Sequence, residues 1–165
     1  MHILVCYATK HQSTRGIAEA IGEELTVDGH QVDVLSIAGP INLGRYDAIV
    51  FGSAVYMGKW LPEATTFTRD AAAILAEKPL WLFSSGPIGD DLAPSTFELA
   101  EVEAFSREVG ARDHRVFAGR IDAHDLTLSQ KLIVKVVRAP SGDFRDWEEI
   151  RAWAREIERE LPIVS

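Results

Sequence analysis

Three short runs of this 165-residue chain combine residue types that could hold a ligand. The first, Thr9-Lys10-His11-Gln12-Ser13-Thr14, leads directly into a helical pattern. Hydroxyls at Thr9, Ser13 and Thr14 would stand where a helix N-terminus offers unpaired N–H groups and the positive end of its dipole, an arrangement suited to an anion. No Gly-Lys-Ser/Thr pairing for a β/γ-phosphate and Mg²⁺ is present, so the run suits a terminal monophosphate better than a triphosphate. It also reads as an ordinary polar loop with Ser13 as helix N-cap.

The second run is Gly52-Ser53-Ala54-Val55-Tyr56-Met57-Gly58-Lys59-Trp60. Small residues at 52–54 would let the backbone approach a planar ligand, with Tyr56, Met57 or Trp60 to cover its face. Alternatively, Tyr56 and Trp60 cap the edge of the core. The third run, Ser84-Ser85-Gly86-Pro87-Ile88-Gly89-Asp90-Asp91, is a tight loop whose amides and hydroxyls suit the carbonyls and ring nitrogens of a heterocycle. Asp90 and Asp91 read as a solvated turn. Elsewhere the chemistry is thin. The five histidines (His2, His11, His30, His114, His124) are scattered without metal-ligand spacing, and no Ser-His-Asp or Cys-His set can be read. The single cysteine, Cys6, excludes an intramolecular disulfide and sits mid-strand as a core residue.

The elements that must position these runs follow from periodicity. Residues 2–8, 47–53 and 80–85 are continuous apolar runs, the pattern of strands buried on both faces, and 31–37 and 115–121 add two more strands. Helical spacing appears over 13–27 (Ile17, Ile21, Leu25), with Gly29 as a C-terminal stop. It recurs over 62–76 (Phe67, Ala71, Ile74, Leu75), where Pro62 suits the first turn, over 96–109 (Leu99, Val102, Phe105), and over 147–161 (Ile150, Trp153, Ile157, Leu161). This alternation predicts an α/β fold: a doubly wound, five-stranded parallel sheet in the order 2-1-3-4-5. Ligands of such sheets lie beyond the carboxyl ends of the strands, where all three runs fall.

Length and composition agree. The chain is 47% hydrophobic and 25% charged, enough for one domain that buries roughly two thirds of its unfolded surface. We expect no signal peptide and no bilayer-spanning segment, hence a cytoplasmic protein. The formal charge of −8 argues against a nucleic-acid partner. Residues 123–140, with Lys131, Lys135 and Arg138 against Asp125, carry +2 and leave −10 elsewhere. Within them, 127–139 reads as a basic amphipathic helix with an apolar stripe through Leu128, Leu132 and Val136. Such a helix either rests weakly on an anionic membrane surface or packs on the domain's own sheet.

The order and spacing of the three loops resemble the flavodoxin-like FMN-binding proteins, and more closely their bacterial menaquinone-dependent protoporphyrinogen oxidase branch. The similar stretches are 7–25 with Thr9 and Thr14, 51–60, Phe117-Ala118-Gly119, and Asp146-Trp147-Glu148 with Trp153-Ala154-Arg155-Glu156-Ile157. The resemblance implies one flavodoxin-like domain over 1–165 with a short inserted segment around 123–145. It implies FMN, its phosphate held by Thr9, Lys10, His11, Gln12, Ser13 and Thr14. Its isoalloxazine ring would lie against Ser53, Ala54, Val55, Tyr56, Met57 and Gly58, and against Ser84, Ser85, Gly86, Pro87, Ile88 and Gly89. Two departures stand out. Flavodoxins usually place Thr-Gly, and the oxidase branch an acid and Gly, where this chain has His11-Gln12; the insertion after the fifth strand is shortened around 141–145. The implied activity is electron transfer from an organic substrate, a tetrapyrrole in that branch, to a quinone or similar acceptor. The alternative is an electron carrier with a redox protein as partner. An absent acid/base set accords with chemistry that belongs to the flavin. A phosphoacceptor receiver domain is excluded, because strand 1 ends in Tyr7-Ala8 and strand 3 in Gly52-Ser53 instead of acids.

Overall fold

The three apolar runs and two further, more polar segments become the five strands of one parallel sheet in a computed structural model, which describes residues 1–56, 58–86, 99–121, 142–143 and 145–163. In chain order the elements are β1 (His2–Ala8), α1 (Ser13–Val27), β2 (Gln31–Ser36), β3 (Ala48–Tyr56), β4 (Lys59–Trp60), α2 (Pro62–Ala76), β5 (Leu80–Ser85), α3 (Ala100–Val109), β6 (Asp113–Phe117), β7 (Arg120–Ile121), β8 (Gly142–Asp143) and α4 (Trp147–Glu160). The parallel order is β2-β1-β3-β5-β6, the expected 2-1-3-4-5 once the antiparallel two-residue β4 is set aside.

Because successive side chains of a strand point to opposite faces, each buried strand feeds two cores. Ile3, Val5, Val50, Trp81, Phe83 and Phe117 face α1 and α4, meeting Ile17, Ile21 and Leu25 from the first and Ile150, Trp153 and Ile157 from the second. Leu4, Cys6, Ile49, Phe51, Leu80 and Leu82 face α2 and α3, meeting Ala64, Leu75, Val102 and Val109. Phe67, Ala71, Ile74, Leu99 and Phe105, expected to face inward, are only partly buried there. Each fully buried large apolar side chain contributes about 1.5–3 kcal/mol, so the two cores define the sheet's position between its helices.

The structure corrects several boundaries. β3 runs to Tyr56, three residues past the expected end, because Val55 and Tyr56 pair antiparallel with Trp60 and Lys59. The fifth parallel strand is Asp113–Phe117, not 115–121. Its last carbonyl accepts from Gly86 N–H at 2.9 Å, and the chain then leaves the sheet so that β7 pairs with β8. Ser13 is not the N-cap of α1 but its first residue; Gln12 takes the cap position in a left-handed conformation (φ 64°). Residues 96–98 of the third expected helix and the whole expected helix over 127–139 lie outside the described residues. No helix among the described residues is long and apolar enough to cross a membrane.

Candidate functional site

Strand register brings the three runs to one edge. Ala8 lies beside Ser53, Ser53 beside Ser84, and Ser84 beside Val116. The chain leaves β1 through Thr9–Gln12 and enters α1, whose N-terminus has no side-chain cap and no acidic residue in its first turn. By contrast, α4 is capped by Asp146, which accepts from Glu149 N–H at 3.0 Å, and carries Glu148 and Glu149 in its first turn. The positive end of α1 is left open to an anion.

Beside that open end sit buried polar atoms without hydrogen-bond partners among the described residues: Thr9 Oγ1, His11 Nε2 and Thr14 Oγ1. Thr14 is fully buried. An unpaired buried polar group costs about 1–3 kcal/mol, and two hydroxyls and an imidazole nitrogen so placed in one six-residue run mark a place shaped for a ligand that would pair them. A fourth, Tyr56 OH, belongs to the tip of β3, where Lys10 Nζ lies 5.3 Å from the Tyr56 ring centroid. The first and second runs therefore meet.

The side chains of the second and third runs are used differently from what their small size predicts. Gly52 is small because the Phe83 ring occupies its side-chain space: a Cβ there would fall 2.1 Å from the ring. Ser53 is fully buried; its Oγ donates to Ala54 O (2.9 Å) and accepts from Leu61 N–H (3.3 Å), tying β3 to the start of α2. Val55 is buried in the hairpin, Ala54 is partly buried, and Gly58 makes the turn at φ 76°. Gly86 leaves β5 at φ 99° with its backbone against Gly119, where a Cβ on the latter would lie 3.3 Å from Gly86 Cα. Ser85 is buried next to them. Met57, Pro87, Ile88 and Gly89 lie outside the described residues.

One constellation escaped the sequence reading. Trp60 Nε1 donates to Ser84 Oγ (2.8 Å), which lies 2.8 Å from His114 Nε2, while His114 Nδ1 lies 2.8 Å from Glu103 Oε1. These residues come from β4, β5, β6 and α3 and share no sequence motif. A second polar cluster stands at the opposite edge, where Asp33 accepts from Tyr46 OH (2.8 Å) and lies 2.9 Å from His2 Nε2. The Tyr46 hydrogen bond holds the Asp33 carboxyl below the usual range, and burial pushes the Tyr46 phenol up. Burial also pushes the Cys6 thiol up, which leaves it protonated and inert at neutral pH. A cavity of about 390 Å³ opens between α2 and α3, lined by Trp60, Thr68, Ala72 and Phe105 among others, and includes nothing from the β1–α1 loop.

Comparison with known proteins agrees with this architecture. The family model described as flavodoxin domain matches residues 4–147. Protoporphyrinogen IX dehydrogenase [quinone] of Escherichia coli (strain K12) is 23% identical over 171 residues, an alignment covering 95% of this chain and 94% of that protein. Among solved structures, oxidised flavodoxin 2 from Bacillus cereus superposes with a TM-score of 0.67 at 21% identity, covering 98% of this chain and 100% of that one. Rubredoxin oxygen:oxidoreductase from Desulfovibrio gigas superposes with a TM-score of 0.62 at 14% identity, covering 96% of this chain but 35% of that larger one.

Proposed function

The chain belongs to the flavodoxin domain family, and from that premise we propose that it is an FMN-binding oxidoreductase similar to menaquinone-dependent protoporphyrinogen IX dehydrogenase, passing electrons from an organic substrate to a quinone or similar acceptor. The observation that carries the cofactor is the trio of buried, unpartnered atoms Thr9 Oγ1, His11 Nε2 and Thr14 Oγ1 at the uncapped start of α1. The two hydroxyls beside open helix amides, with His11 Nε2 when it carries its proton, can donate to a phosphate, and FMN ends in one. Lys10, Gln12 and Ser13 complete the loop around it. Bound FMN supplies reversible electron transfer, while the protein supplies binding and orientation. Of the segments proposed to border the ring, the structure describes 53–56, 58 and 84–86. Since the Ser53 and Ser84 hydroxyls are engaged inside the protein, those two positions offer the ring only backbone.

The substrate class rests on the alignment with the Escherichia coli enzyme along nearly the whole of both chains. Residues 127–139 would bring the protein weakly and salt-sensitively to anionic vesicles, where a quinone is reached. The net charge of −8 favours the second reading, a carrier steered to basic redox proteins. Purified protein should show a flavin absorption spectrum, and the released cofactor should be FMN. A colourless protein that fails to quench FMN fluorescence overturns the cofactor. Steady-state oxidation of protoporphyrinogen IX with a menaquinone analogue separates the enzyme, which turns over, from the carrier, which does not.

A further inference from the structure

The line Trp60–Ser84–His114–Glu103 has the residue order of a nucleophile–base–acid set, but Ser84 is no nucleophile. It is fully buried, and its oxygen already accepts the indole N–H. Nor is the line a proton path, because it ends on an indole N–H that neither gives up nor receives a proton in the physiological range.

Its polarity is nonetheless set by chemistry. An indole N–H only donates, so Ser84 Oγ accepts it, and the hydroxyl proton is then directed to a bare His114 Nε2. In the neutral ring this arrangement places the His114 proton on Nδ1, facing the Glu103 carboxylate. Reversing the ring tautomer would leave the Ser84 proton without an acceptor among the described residues and set a bare nitrogen against a carboxylate. The imidazole is almost wholly buried, with side-chain exposure of 4%, and only Glu103 reaches solvent, at 53%. Asp113 and Arg115, the charged neighbours of His114 on β6, engage α4 on the opposite face through Trp153 and Glu156. At the other end, Trp60 closes the β3–β4 hairpin opposite Val55 and meets Phe51 edge-on at 5.3 Å. Phe51 contact alone would suit a phenylalanine at position 60 equally well. A directional hydrogen-bond line selects a single orientation of the indole.

We propose that Ser84, His114 and Glu103 are positioning residues that hold the Trp60 indole and, through it, the paired residues Val55, Tyr56 and Lys59, and that this hold sets the affinity of the site for the flavin ring but not for the phosphate. The consequence for affinity rests on the flavin reading above; the anchor itself does not.

Two measurements test it. In flavin titrations followed by fluorescence quenching, His114→Leu should weaken FMN and riboflavin by the same factor, at most about tenfold if binding must re-order the released indole at the full worth of the lost hydrogen bond, while His114→Gln, which restores an acceptor for Ser84, recovers most of the loss. Should His114→Leu fail to fold, Trp60→Phe, which keeps an aromatic ring and loses the donor, must give the same parallel loss. A folded variant that binds riboflavin as tightly as the wild type overturns the proposal and leaves the flavin reading intact. In the ligand-free protein, the Trp60 indole N–H, assigned by its disappearance in Trp60→Phe, should be protected from deuterium exchange and lose that protection in Ser84→Ala. Rapid exchange in the wild type overturns the anchor. A wild type that takes up neither flavin overturns the cofactor reading and the affinity claim together, while a protected indole would still establish the anchor.

Discussion

The two sides of the sheet's carboxyl edge are built on opposite rules. On the β1–α1 side, Thr9, His11 and Thr14 carry buried polar atoms with no partner among the described residues, the helix N-terminus has no side-chain cap, and a non-glycine residue, Gln12, is held at φ 64°. On the β3–β5–β6 side, the buried polar groups of Ser53, Trp60, Ser84 and His114 are all hydrogen-bonded, and the positive φ angles at 58 and 86 fall on glycines. A folded chain tolerates unpaired buried groups and strained backbone only where something else repays them. The first side therefore reads as a socket completed by a ligand, and the second as a finished wall. Tyr56 OH, unpaired although it stands on β3, belongs with the socket, beside Lys10.

The largest effect that would break this contrast is at Thr14. Thr14→Val keeps the shape and removes the unpaired hydroxyl. If Thr14 is a phosphate ligand, FMN should bind roughly tenfold to a hundredfold more weakly, corresponding to a charge-assisted hydrogen bond of ~1.5–3 kcal/mol, while riboflavin, lacking the phosphate, is unaffected. Urea unfolding of the ligand-free variant should show no loss of stability, because no hydrogen bond within the protein is lost. Equal weakening of both ligands, or a destabilised ligand-free protein, would make Thr14 part of the wall.

The complementary substitution is Ser53→Ala, whose hydroxyl accepts from Leu61 N–H inside the protein. Here the order should invert. The ligand-free protein should lose about 1–2 kcal/mol in urea unfolding, since a buried N–H is left unpaired. The ratio of FMN to riboflavin affinity should stay as in the wild type. A changed ratio would mean that Ser53 senses the phosphate, and the division between socket and wall would fail.

This division was only half legible in the sequence. Continuous apolar runs at 2–8, 47–53 and 80–85, alternating with helical patterns, read as central strands, and five such strands suit the order 2-1-3-4-5, which brings three loops to one edge. Which side chains face a ligand does not. Ser53-Ala54 reads as the start of a loop, and only the pairing with Lys59 and Trp60 reveals that the strand continues. Gly52 reads as room for a ligand, whereas its space belongs to Phe83, 31 positions away. The Ser84–His114–Glu103 line joins residues 11 and 30 positions apart on separate elements, so no spacing rule could detect it. Ser13 is the better N-cap by residue type, yet the chain turns one residue earlier, at Gln12.

That turn supplies the smallest and sharpest test. A left-handed residue other than glycine costs about 1–2 kcal/mol, part of which glycine returns through its greater freedom in the unfolded chain. Gln12→Gly should therefore stabilise the ligand-free protein by about 0.5–1 kcal/mol in urea unfolding. FMN affinity should change by less than about threefold, because the Gln12 backbone already holds the turn that glycine would adopt. The mirror substitution on the finished wall, Gly86→Ala at φ 99°, should destabilise instead, since alanine is strained in that backbone conformation even though its Cβ would meet Val55 O only at an ordinary contact distance of 3.6 Å. Opposite signs at these two positions are what a strained socket and a relaxed wall require. If Gln12→Gly destabilises the protein, the Gln12 side chain contributes more to the loop than its backbone costs, and the strain assigned to the socket is offset within the loop itself.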